Sequence, residues 1–138
     1  MTEPVRVFVD ANVFLRFFTA DDAGQAARAE HFFRRAAAGE LVLVTGPPVL
    51  FELVWTLRSA YKQSKTQVLT ALKAVLAVSS LELSDRTLVE DAVRLASAGG
   101  QEFADAYIAA SVSATGAGQL ATFNRAHFDR LGTPLYRL

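Results

Sequence analysis

Short, β-branched apolar runs alternate along this chain with longer segments whose apolar residues recur every three or four positions. The runs fit strands, and the spacing fits helices that bury one face. Val5 to Val9 (VRVFV) is the first run and stops at Asp10. Asn12 to Phe18 reads as a short helix. Asp21 to Ala38 reads as a longer one, with Asp21 or Thr19 as its cap and Gly39 as its stop. Leu41 to Val44 (LVLV) is a second strand. The turn Thr45-Gly46-Pro47-Pro48 follows, with Pro48 suited to the first position of a helix ending near Tyr61. That helix is apolar almost throughout and is expected deep in the fold.

Ser64-Lys65-Thr66-Gln67 has the form of a capping box and opens a helix to Val78. Leu81-Glu82-Leu83 alternates as a short strand. Asp85 is placed to cap a helix from Arg86 to Ala98, which Gly99-Gly100 ends. Phe103 to Ala114 reads as a helix closed by Gly116. Leu120 to Phe123 reads as a strand, followed by Asn124 and a short helical stretch, and Leu135 to Arg137 as a last edge strand. Strands separated by helices argue for an α/β fold, with a largely parallel sheet covered on both faces. Ligands of such sheets bind beyond the carboxyl ends of the strands, so polar residues that follow a strand are the ones to inspect.

The chain has 138 residues, which fits one domain, residues 1–138. At 51% apolar and 20% charged it has ample surface to bury, which argues against disorder. Fourteen basic residues offset fourteen acidic ones, so no basic coat serves tight, non-specific nucleic-acid binding. There is no cysteine, which excludes disulfides, zinc held on thiolates and cysteine nucleophiles. The N-terminal residues lack the pattern of a signal peptide, and no apolar run is long enough to span a membrane. The expected location is the cytoplasm.

Three carboxylates and an amide stand where strands end or helices begin. Asp10 ends the first strand; it either serves a site or caps the next helix. Glu52 lies within PVLFELVWTL, where a carboxylate must be solvated, metal-bound or paired, for instance with Arg58. Asp105 lies in the first turn of EFADAYIAA, where acids also favour the helix dipole; Glu102 is read in that second way. Asn124 follows LATF and is either a cap or a site residue. Oxygen donors of this kind suit Mg²⁺ or Mn²⁺. His31 and His127 have no evident partner, which weighs against Ser/His/Asp hydrolysis. No phosphate-binding glycine loop is present. Phe17, Phe18, Phe32 and Phe33 read as core.

These residues carry a resemblance. VFVDANVFLRFF, the Glu52 helix, FADAYIAASV and LATFNRAHFDRL occur in the order and spacing of PIN-domain ribonucleases, and the chain resembles the VapC-type toxins of bacterial toxin–antitoxin modules. The resemblance implies a three-layer sandwich around five parallel strands in the order 3-2-1-4-5. It implies Mg²⁺- or Mn²⁺-dependent cleavage of RNA, with Asp10, Glu52 and Asp105 as the acids and Asp10 and Asp105 as metal ligands. Asn12 matches a residue supporting the first acid, and Thr122 the Ser/Thr before the last site position. That last position is usually acidic and is Asn124 here. Partners implied are a small antitoxin, whose tail places a basic side chain among the acids, RNA, and a second copy in a homodimer. The alternatives are a PIN-fold interaction module impaired by Asn124, and another α/β metal-dependent phosphatase. A dehalogenase-like phosphatase would want an acid at position 12.

Overall fold

The computed structural model describes residues 3–138. Strand β1 (Val5–Phe8) is followed by helices α1 (Ala11–Phe18) and α2 (Ala23–Ala37), strand β2 (Leu41–Thr45), helices α3 (Pro47–Ser59) and α4 (Lys65–Leu76), and strand β3 (Leu81–Leu83). Helices α5 (Arg86–Gly99), α6 (Phe103–Ala114) and α7 (Arg125–Arg130) complete the chain. The described strands form one parallel sheet, ordered β1-β2-β3, with Val5 opposite Leu41 and Leu43 opposite Leu81. The chain is therefore α/β. No described helix is long and apolar enough to cross a membrane.

The expected five-stranded sheet is corrected to three described strands. Their order is the 3-2-1 part of the expected arrangement, seen from the β3 edge. Leu120–Phe123 and Leu135–Arg137 do not form strands. They meet at one isolated parallel bridge, Leu120 to Leu135. The Leu120 N–H donates to Pro134 O and the Tyr136 N–H to Leu120 O, both at 2.8 Å. The chain then turns away, because the Thr122 hydroxyl accepts the Asn124 N–H at 3.0 Å. No ladder joins this segment to β1, whose Val5 and Phe8 stay exposed.

Two cap assignments also change. Helix α2 is capped by Asp22, whose carboxylate accepts the Gln25 N–H at 2.9 Å. Asp21 is occupied elsewhere: it accepts the Tyr61 hydroxyl at 2.6 Å and the Thr19 hydroxyl at 3.0 Å, and it pairs with Arg16 at 3.3 Å. The Tyr61 hydrogen bond above all, then that from Thr19, holds the Asp21 carboxyl below its ordinary range. Asp85 precedes α5 in a left-handed conformation (φ 54°), and its side chain caps nothing. The capping box of α4 is present as expected, with Ser64 and Gln67 bonded reciprocally.

The core runs between β2 and the helices. Leu43, Leu50, Leu57, Val75 and Val89 are fully buried. Phe33 stacks on Phe14 at 5.5 Å, and Phe18 and Phe32 pack against the core, while Phe17 is half exposed. At the carboxyl end of the sheet the buried Thr45 hydroxyl donates to Val9 O at 3.0 Å. This bond fixes the backbone just before Asp10. Gly46 leaves room beside it: a Cβ there would meet Ser84 Oγ at 2.9 Å.

Candidate active site

Helix α3 begins at Pro47-Pro48, where missing N–H groups cost nothing, immediately beyond the carboxyl end of β2. It buries Val49, Leu50, Leu53, Val54 and Leu57 and leaves Glu52 and Trp55 exposed. The helix lies deep in the fold on one face, as expected, but not on the other. Its apolar sequence covers one buried face and an exposed tryptophan. Glu52 is accordingly solvated.

Three aromatic rings set α3 against α6. Phe51 lies 5.3 Å from Phe103 and 4.9 Å, edge-on, from Tyr107. Phe103 is fully buried. Burial, and secondarily the nearby Asp85 charge, pushes the Tyr107 hydroxyl above its ordinary range. Phe51 is the neighbour of Glu52, and Phe103 and Tyr107 flank Asp105 at two residues on either side. Packing these rings together brings the two carboxylates to one open cleft of about 790 Å³, shared with Glu102, Arg58 and Trp55.

Arg58 does not pair with Glu52. It bonds Glu102 at 2.6 Å and Gln63 O at 2.8 Å. Glu102 is thus an ion-pair partner, with both side chains about one-third exposed. Glu52 has no ion-pair partner among the described residues. Asp105 is half-buried, and its Oδ2 lies 3.1 Å from His127 Nδ1. His127 Nδ1 also lies 2.9 Å from the Asn124 amide nitrogen. The expectation that His127 lacks a partner is corrected: α7 brings it and Asn124 to Asp105.

Asp10 caps α1, its Oδ1 accepting the Ala11 N–H at 2.7 Å, and its side chain is exposed at the end of β1. Asn12 lines a separate cleft of about 410 Å³ between β1 and α2, with Arg16 and Arg28. The structure thus brings Glu52 and Asp105 into one cleft and attaches Asn124 to Asp105 through His127. Asp10 and Asn12 stand on α1 outside that cleft's lining. No three acids or histidines among the described residues converge tightly enough to hold an ion between them. The donor chemistry of the cleft, the carboxylate oxygens of Glu52 and Asp105, is of the kind a hard cation takes, and Asp10 offers a further carboxylate from outside its lining.

The family model described as the PIN domain matches residues 7–133. Among solved structures, the crystal structure of Mycobacterium tuberculosis VapC20, a sarcin–ricin loop cleaving toxin, is 24% identical over 96% of this chain and 99% of that one, with a TM-score of 0.41. No curated protein matches.

Proposed function

The chain belongs to the PIN domain family, and from that premise we propose that it is a metal-dependent endoribonuclease, the toxin of a VapBC-type toxin–antitoxin pair. The observation that carries this reading is the pair Glu52 and Asp105, facing one cleft from two helices, with no cation paired to Glu52 among the described residues. Two carboxylates so placed repel one another unless a cation joins them.

In this reading Asp10 and Asp105 would hold Mg²⁺ or Mn²⁺, and Asn124, linked to Asp105 through His127, would add an amide oxygen. Bound there, the ion would polarise a phosphoryl oxygen and make a nearby water more acidic. Glu52 orients the attacking water and takes its proton as the water oxygen bonds to phosphorus. The phosphorus–oxygen bond to the departing sugar breaks in the same displacement, and that sugar oxygen takes a proton from solvent. Thr122 supports the site by accepting the Asn124 N–H. Asn12, two residues after Asp10, is the residue assigned to support that acid.

The partners are RNA, a second copy of the chain and a small antitoxin in the cytoplasm. An arginine from that antitoxin fits the acidic cleft, where it would bond the carboxylates and compete with the metal. The test is cleavage of a mixed RNA pool in Mg²⁺ and in EDTA. Cleavage in Mg²⁺ that stops in EDTA is expected; cleavage that persists in EDTA overturns the mechanism.

A further inference from the structure

Trp55 is the chain's single tryptophan and is 70% exposed on the rim of the cleft that holds Glu52 and Asp105. We infer that its indole is the platform on which one base of a single-stranded RNA stacks while the adjoining phosphodiester faces Glu52 and Asp105. The inference rests on the ribonuclease reading above and extends it to how the substrate is held.

Three observations carry it. Trp55 stands one helical turn after Glu52 and one turn before Arg58, so it shares their face of α3. Its other helical neighbours in the cleft are Phe51, one turn before, and Ser59, one turn after. The ring therefore stands where apolar side chains, Phe51, Val54 and Ala104, meet the polar groups Glu52, Arg58 and Asp105. A nucleobase, with an apolar face and a hydrogen-bonding edge, matches such a setting. The cleft is also poor in free positive charge. Its Arg58 is committed to Glu102 at 2.6 Å, and Glu52 and Asp105 add negative charge. A polyanion cannot be held there through its backbone alone. Stacking needs no charge and tolerates any base.

The experiment uses the full chain with Glu52→Gln, which slows cleavage and keeps Trp55, in Mg²⁺ with single-stranded octauridylate and octaadenylate. Trp55 emission is expected to change on adding either octamer and to stay unchanged on adding an RNA duplex of the same length. By anisotropy of labelled octamer, Trp55→Ala should weaken binding about tenfold or more and Trp55→Phe by less, as expected for loss of one stacked base. The salt slope of binding should be the same with and without the indole, because no phosphate contact is lost. In the otherwise wild-type enzyme, Trp55→Ala should raise KM by a similar factor and change kcat much less. Octamer binding that leaves Trp55 emission and the Trp55→Ala affinity unchanged overturns the stacking assignment and leaves the ribonuclease reading standing. A shift of Trp55 emission with protein concentration alone, lost together with self-association in Trp55→Ala, overturns it in favour of a second copy covering the ring. Wild-type protein that neither binds nor cuts RNA overturns both readings.

Discussion

Phe103 is the residue whose removal tests how α3 and α6 are held in register. Its ring is 2% exposed and touches both Phe51 and Tyr107. A buried phenylalanine removes about 150–200 Å² from water, which at about 25 cal/mol per Å² is worth about 4–5 kcal/mol. Measured Phe→Ala costs in cores fall at about 3–5 kcal/mol, the cavity included. A domain of this kind has only about 5–15 kcal/mol to lose. Phe103→Ala is therefore expected to lower the urea midpoint sharply at unchanged slope, by about 3–4 kcal/mol. Phe103→Leu, which keeps most of the volume, should cost less than about 1.5 kcal/mol. A double-mutant cycle with Phe51→Ala should give a coupling of about 0.5–1.5 kcal/mol, the scale of one aromatic pair. A cost for Phe103→Ala below about 1 kcal/mol, or no coupling to Phe51, would refute the claim that these rings set the cleft.

Asp21, whose carboxyl is held low by Tyr61, contributes stability above the ordinary carboxylate range and loses it as pH falls through the lowered folded value. Melting temperatures of the wild type and Asp21→Asn should therefore differ at neutral pH and begin to converge as pH falls below about 4, meeting below the lowered folded value. Asn124→Asp adds a negative donor beside Asp105 and is expected to tighten Mn²⁺ binding by calorimetry; equal affinities would place position 124 outside the ion's field. Co-expression with the product of an adjacent small gene should yield a complex by light scattering in which RNA cleavage is suppressed. A chain that stays monomeric and active beside that product contradicts the toxin–antitoxin reading.

Most of the fold was legible because its signals are local. The Ser64–Gln67 box, Pro47-Pro48 and the LVLV run each specify their element through neighbours in sequence. The departures come from long-range partners. Asp21 fails to cap α2 because Tyr61, forty residues away, claims its carboxylate. LATF reads as a strand by composition, but a strand needs a paired edge, and its described pairing is a single bridge to Leu135. Within the site, Glu52 was legible as an acid in an apolar helix and Asp105 as an acid in the first turn of an Ala-rich one. His127 was not, because its partner lies 22 residues earlier on another helix. Trp55 in an apolar helix reads as core, and only packing reveals that its face of α3 is open.

Glu52 and Asp105 are proposed to act together on RNA, and side-by-side cleavage of one single-stranded RNA in Mg²⁺ by the wild type, Glu52→Gln and Asp105→Asn decides whether they do. Both residues are outside the buried core, so both variants should fold with wild-type circular dichroism. Each is expected to lose about 100-fold or more in kcat, the scale of a lost general base or charge-stabilising group. Wild-type rates in both folded variants would contradict the account.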